Sequence, residues 1–427
     1  MVVEIIQPAR VAGLLRPGMA VYLQGSTGEP AGLLDALALA PELSAGVSYL
    51  GCFLPGVNRR DPARLHANAR HTGFFVHGQF SETLAEGRMR FLPLSYSAIY
   101  DYLAGQAVDI AMIQVSPPNA EGLCSFGICV DFQPAVLPRA ACVVAEVNLA
   151  MPAPPGSLTI PYDKIDYALE TERTPLTHPG GGVPPAVAAV AGNVARLIDD
   201  GDVIQIGIGR LPTAILNALK DKRGLGLQGG MISDEVMMLM QAGALDNKAK
   251  TVEPGKAVCG AALGSERLYQ WLAERDDVLF RPASYTHNVR VMAEIDNYVT
   301  INSVLEVDLF GQCNAEVVDG RQVSGTGGLM DFVRGARLAR NGRSILAVQA
   351  TAAGGTVSRI VPHLPADAVV ACPRADVDII VTEHGIARLR DKSLDERAEA
   401  LTAIAAPEFR DGLEAAWREM RARLSRA

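Results

Sequence analysis

Short, almost uninterrupted apolar runs alternate along this chain with segments whose apolar residues recur every three or four positions. Residues 21–24 (VYLQ), 108–115 (VDIAMIQV), 141–147 (ACVVAEV), 203–206 (VIQI), 345–348 (ILAV), 368–371 (AVVA) and 377–382 (VDIIVT) read as buried strands. Strands this apolar, separated by helical stretches, are what a parallel sheet covered on both faces requires. Near the C-terminus, Phe409, Leu413, Trp417, Met420 and Leu424 fall at intervals of three and four. That spacing predicts an amphipathic helix with arginines on its wet face. The fold class is α/β.

A chain of 427 residues is long for a single core. Pro152, Pro154 and Pro155 on one side, and Gly180 to Gly182 with Pro184 and Pro185 on the other, bracket a polar segment suited to a linker. The predicted division is residues 1–180, including the linker, and residues 181–427, each within the usual range for a domain. The halves share a short repeat. Gly25-Ser-Thr-Gly-Glu-Pro30 leads into Leu33, Leu34 and Leu37, and Gly207-Ile-Gly-Arg-Leu-Pro212 leads into Ile215, Leu216 and Leu219. Each places a glycine turn after an apolar strand and a proline where a first helical turn begins. Open α/β sheets bind ligands at such strand ends, and helix N-termini favour anions.

Composition narrows the partners. A net charge of −8 argues against a nucleic-acid binder, which needs a basic surface. It leaves room for a small polyanion held by a local basic patch. Seven cysteines without a CxxC pair read as buried free thiols in a reducing cytosol. The first residues carry no basic region followed by an apolar core, and no run of about 20 apolar residues follows. The expectation is a cytoplasmic enzyme-sized protein with no membrane partner.

Several familiar signatures are missing. Gly255-Lys256 is not a phosphate-binding loop, there is no HExxH, and none of the seven histidines stands in zinc-ligand spacing, so no metal is expected. No GxSxG elbow occurs, and Pro212 takes the third-glycine position after Gly207-Ile-Gly209. What remains is a set of glycine turns: Gly207-Ile208-Gly209, Gly325-Thr-Gly327-Gly328 and Gly354-Gly355. Such turns either bring backbone N–H groups close to an anion or oxyanion or serve as plain tight turns. Arg334 and Arg337 share a helix face after the second of them. They offer a place for a phosphate tail or form a solvated face.

Together these segments resemble the acetyl-CoA hydrolase/transferase group of family I CoA-transferases, whose type members act on acetate, succinate or 4-hydroxybutyrate. The resemblance rests on Gly28-Glu-Pro30, Gln114-Val-Ser-Pro-Pro118, Gly207-Ile-Gly209 with Pro212, and Met231-Ile-Ser-Asp234. It continues in residues 307–314 (VDLFGQCN), 324–332 (SGTGGLMDF), 358–362 (SRIVP) and 381–385 (VTEHG). It implies two related open-sheet α/β domains with the active site between them. It also implies coenzyme A or acyl-CoA as substrate rather than as a permanently bound cofactor, a small carboxylate or water as second substrate, and a homodimer or higher homo-oligomer. Asp331 and Phe332 then help to place the CoA. In this family a glutamate carboxylate attacks the thioester and passes through a glutamyl-CoA intermediate.

The chain departs from the family at one point. The 4-hydroxybutyrate-type members carry His-Ser-Glu before Met-Ile-Ser-Asp, where this chain has Gln228-Gly229-Gly230. Three readings follow. The first is short-chain acyl-CoA:carboxylate CoA transfer with a relocated nucleophile, Glu29 before Glu235 or Glu316. The second is hydrolysis, or acyl transfer to another nucleophile, with Glu29 as general base. The third is an acyl-CoA-binding protein without turnover. Asn314 is a donor to the acyl oxygen or an Asn-stabilised turn.

Overall fold

The computed structural model describes residues 3–178 and 182–424. The division between residues 180 and 181 lies outside the described residues. On either side of it the chain builds a separate sheet.

The first sheet has eight strands: β1 (Glu4–Ile5), β2 (Ala20–Leu23), β3 (Ser48–Leu50), β4 (Arg70–Gly73), β5 (Met89–Phe91), β6 (Val108–Val115), β7 (Ala140–Asn148) and β8 (Tyr167–Thr171). Their spatial order is β1-β8-β7-β6-β2-β3-β4-β5, and every pairing is parallel. The second has six: β9 (Val203–Ile206), β10 (Gly226–Leu227), β11 (Tyr298–Ser303), β12 (Arg343–Ala347), β13 (Ile379–Thr382) and β14 (Gly385–Arg388). Its order is β10-β9-β11-β12-β13-β14, parallel except for the closing β13–β14 hairpin. Strand β6 shows why the sequence pattern forecast this. Seven of its eight residues are buried, the exception being Asp109. A strand covered on both faces has no solvated side on which to place polar residues.

Most predicted strands appear within a residue or two of their expected ends. Residues 368–371 do not form one. Val369 and Val370 are exposed and the chain there is irregular. Ala371 N and Cys372 N instead donate to Cys313 O, so this short run caps a small neighbouring sheet. Strands β3 to β5 were not anticipated, because three-to-four-residue runs such as Arg70-His-Thr-Gly73 carry too little apolar signal. The repeat holds in part. Pro30 precedes α1 (Ala31–Leu37), whereas Pro212 lies inside α4 (Arg210–Ala218). Between them come α2 (Tyr96–Ala104) and α3 (Pro185–Ala195), and after them α5 (Asp234–Gln241), α6 (Leu329–Leu338), α7 (Leu394–Ala403) and α8 (Pro407–Leu424). Helix α8 is the predicted C-terminal helix; it buries Leu413 and Met420 but leaves Leu424 exposed.

The two sheets share their largest hydrophobic cluster, which runs from Tyr22, Phe74 and Tyr96 through Phe132 to Ile204, Phe280 and Ile345. Backbone bonds cross the junction: Ala262 N to Ile128 O (2.8 Å), Val130 N to Gly260 O (2.9 Å) and Phe280 N to Gly156 O (2.9 Å). Two more, Val76 N to Ser324 O (3.2 Å) and Tyr96 N to Gly327 O (2.9 Å), fasten the first half to the Gly325–Gly328 turn. No helix among the described residues is long and apolar enough to cross a membrane.

Candidate active site

In the second sheet β9 has β10 on one side and β11 on the other, so the strand order reverses between β9 and β11. Open α/β sheets bind ligands at the carboxyl ends of strands at such a reversal. A cavity of about 330 Å³ lies there. Its floor is Gln205, Ile206, Gly207 and Ile208 at the end of β9, and Asn302 and Ser303 at the end of β11. Leu54, Pro55, Phe75 and Tyr96 close it from the first half, and the Ser324–Leu329 turn forms its rim. The cavity therefore sits between the two halves. Asn302 Nδ2 donates to Gln205 Oε1 (3.1 Å), and both residues belong to the lining. Gly325 is required by close approach, since a Cβ there would lie 2.0 Å from Phe74 O.

Gly230 lines this cavity. Its carbonyl accepts from Gly260 N and Ala261 N (2.9 and 3.0 Å), and Gly229 N donates to Val258 O (3.0 Å). Behind it, Tyr298 Oη donates to Gln228 O (2.9 Å) and Lys250 Nζ donates to Leu227 O (3.0 Å) and Gln228 Oε1 (3.1 Å). Burial of that ammonium draws its pKa down to about 8. The segment is thus fixed in place with no side chain at 230.

Beside Gly230 stands His287. Its ring packs at a tilt against Tyr96 (4.3 Å between centroids, 35°) and Phe332 (4.6 Å, 46°). Burial lowers its pKa to about 3, so the imidazole is neutral at ordinary pH. Tyr96 turns its hydroxyl away from the cavity and donates it to Asp131 Oδ2 (2.9 Å). Asp131 is fully enclosed, its Oδ1 has no partner, and burial pushes its pKa up to about 7.

A second cavity, of about 420 Å³, adjoins the first across Gly207 and Ile208. It is lined by Gly209, Arg210, Thr213, Ser233, Glu235 and His178 among others. Gly209 precedes α4 with a φ of 111°, a conformation that suits glycine. Glu235 accepts from Thr213 Oγ1 (2.9 Å) and Ser233 Oγ (2.7 Å) at the start of α5.

The sequence-derived candidates therefore separate. Gly207, Ile208, Gly230, Gly325, Gly327, Gly328 and Phe332 meet around the first cavity, and Gly209 and Glu235 face the second. Glu29 is buried in the first half, where its Oε2 accepts from Asn58 Nδ2 (2.8 Å), and it lines neither cavity. Glu316 is one residue behind the wall. Burial raises its pKa, while bonds from Gln322 and from the cavity-lining Thr326 oppose the shift. Asn314 spends its side chain on a turn: Nδ2 donates to Glu306 Oε2 and Val317 O, and Oδ1 accepts from Glu316 N and Val317 N. Asp331 accepts from Ser97 N (3.1 Å) and Ser97 Oγ (2.7 Å), bracing the start of α2. Arg334 pairs with Asp376 (3.7 Å) and Arg337 donates to Ala375 O (3.2 Å), both on the outer surface. Gly354 and Gly355 form a turn between Thr351–Ala352 and Val357–Ser358, away from both cavities.

Sequence reasoning missed Tyr96, Gln205, His287 and Asn302. Gln205 and Asn302 end buried strands, and that position was a usable signal. Tyr96 and His287 carried none, because they reach the cavity from separate helical turns. Among the described residues no group of three or more His, Cys, Asp or Glu side chains is arranged to hold a metal. The lining of the cavity combines apolar side chains with a neutral imidazole and the amides of Gln205 and Asn302.

The model of the acetyl-CoA hydrolase/transferase N-terminal domain matches residues 3–177, and that of the C-terminal domain matches residues 264–417. The chain is 37% identical to the 4-hydroxybutyrate coenzyme A transferase of Clostridium kluyveri, over 92% of each chain. Two solved structures are similar over 98% of each chain. RipA from Yersinia pestis has a TM-score of 0.90 at 29% identity. A 4-hydroxybutyrate CoA-transferase from Porphyromonas gingivalis has a TM-score of 0.80 at 32% identity. Other relatives are CoA-transferases and, at lower identity, acetyl-CoA hydrolases.

Proposed function

Because this chain belongs to the acetyl-CoA hydrolase/transferase family, we propose that it cleaves the thioester of a short-chain acyl-CoA by hydrolysis, without a glutamyl-CoA intermediate. One observation carries this reading. Among the described residues the lining of the cavity between the halves includes no carboxylate, and Gly230 stands where the resemblance puts the nucleophilic glutamate. A glycine has no group with which to attack a thioester, so the attacking oxygen comes from a small molecule, in the simplest case water. The Gln205 amide and the backbone of the Gly207 turn are the donors for the oxyanion that forms. Acyl-CoA and water are then the substrates, CoA is no resident cofactor, and the working form is a homodimer or higher homo-oligomer.

A second reading rests on Glu235. It faces the cavity that shares Gly207 and Ile208 with the first, and it is the carboxylate best placed for a relocated glutamyl intermediate in CoA transfer. The two readings part in one assay that follows thiol release from acetyl-, propionyl-, butyryl- and succinyl-CoA, with and without added carboxylate. Hydrolysis requires release without an acceptor. Release wholly dependent on a carboxylate, with a borohydride-reducible CoA adduct on Glu235, overturns it.

A further inference from the structure

His287 has features that a packing role does not account for. Its Nδ1 lies 2.9 Å from Thr286 Oγ1, and that hydroxyl donates to Pro282 O (3.4 Å). When that hydroxyl keeps its hydrogen on Pro282 O, the threonine oxygen accepts from Nδ1–H and the lone pair of the neutral ring is on Nε2, the tautomer that the chemistry below uses. Nε2 has no hydrogen-bond partner among the described residues, and His287 lines the cavity.

The edge carrying Nε2 is wedged between two glycines. A Cβ at position 230 would lie 3.0 Å from His287 Cε1 and 3.3 Å from Nε2. A Cβ at position 328 would lie 2.6 Å from Cδ2 and 2.7 Å from Nε2. A Cβ at 328 cannot fit unless the ring moves, and one at 230 requires the ring to give by a few tenths of an ångström. The missing side chain at 230 therefore eases the approach of the imidazole edge to the cavity. Tyr96 and Phe332 both pack against the ring, tilted to it by 35° and 46°. Tyr96 is the other ionisable group of the lining, and its hydroxyl is committed to Asp131.

We propose that His287 is the catalytic base of this site, taking a proton from the attacking water in place of the side chain missing at Gly230. The inference rests on the hydrolytic reading. Nε2 accepts a proton as the water oxygen bonds to the thioester carbon, and the oxyanion developing beside the ring stabilises the imidazolium against the burial that holds the pKa of the resting imidazole near 3. The tetrahedral intermediate then expels the CoA sulfur with the electron pair of the C–S bond. The proton on Nε2 passes to that thiolate, leaving a carboxylic acid, free CoA thiol and a neutral imidazole. Thr286 orients the ring and keeps the lone pair on Nε2, which makes it a positioning residue.

The test compares the parent with His287→Ala and His287→Asn, the latter keeping a polar group toward Thr286. Thiol release from acyl-CoA is followed without any acceptor, and CoA binding is measured by calorimetry. The expected result is a loss of kcat of about 10²–10⁴-fold in both variants. KM and CoA affinity stay within about threefold, and added imidazole restores part of the rate of His287→Ala in proportion to its concentration. A kcat within threefold of the parent in either folded variant overturns the role of His287 while leaving hydrolysis standing. A loss in His287→Ala without imidazole rescue, with His287→Asn active, reduces the residue to packing. A parent that releases no thiol without an acceptor overturns both readings.

Discussion

Replacing Asp131 by asparagine tests how the buried wall behind the site is built. The carboxyl is buried, its Oδ2 accepts from Tyr96 Oη (2.9 Å) and more weakly from Cys129 Sγ (4.0 Å), and it has no cation against it. Its pKa moves from an ordinary 3.8 to about 7, with burial as the cause and the Tyr96 bond opposing it. Between these values the folded chain keeps a proton that the unfolded chain has released. Stability present at low pH is therefore lost as pH rises toward and through 7. At 1.36 kcal/mol per decade, the loss between pH 5 and 8 comes to about 2.5 kcal/mol. Asp131→Asn removes this titration and leaves its Oδ1 to accept from Tyr96. The new amide N–H lacks a partner, a fixed cost of about 1–3 kcal/mol that does not vary with pH. His71 and His287, both held near 3 by burial, titrate in the opposite sense, losing stability as pH falls below 6.5. They are common to both proteins and cancel in the difference. Urea unfolding at pH 5, 6, 7 and 8 reads that difference directly. A variant-minus-parent stability constant within about 0.5 kcal/mol across this range would mean that Asp131 is not held protonated, against the desolvation argument.

Glu29→Gln keeps the bond with Asn58 at a residue that lines neither cavity, so kcat/KM for thiol release is expected within threefold of the parent; a hundredfold loss would return Glu29 to the mechanism. Gly325→Ala drives a Cβ to 2.0 Å from Phe74 O, so a thermal unfolding scan is expected to register a destabilisation of about 1–3 kcal/mol, with CoA affinity falling as the rim shifts. In a pH–rate profile, kcat/KM is expected to show no imidazole limb between pH 5 and 6.5, because burial already keeps His287 neutral; any inflection near 7 should vanish in Asp131→Asn. A limb at 6.5 that disappears in His287→Asn would contradict the burial of that ring.

The forces that act along the chain wrote much of this fold into the sequence. Residues 108–115 and 203–206 are strands because both faces are covered, and an apolar run is the visible trace of that burial. The glycine turns after β9 and before α6 were legible for the same reason, since close backbone approach at Gly325 leaves no room for a side chain. The polar strand at Arg70–Gly73 was not anticipated and the run at Val369 and Val370 was misread as a strand, because neighbours far along the chain decide which short runs pair. Glu29 looked equivalent to a site residue by the repeat, yet its half of the molecule turns that loop inward onto Asn58. The sequence by itself determined the class, the family and the absence of a side chain at Gly230. Only the tertiary structure decided what stands beside that gap. His287 is 57 residues further along the chain, and no spacing rule relates it to Gly230. The packing of Tyr96 and Phe332 holds its ring there, and two glycines concede the room.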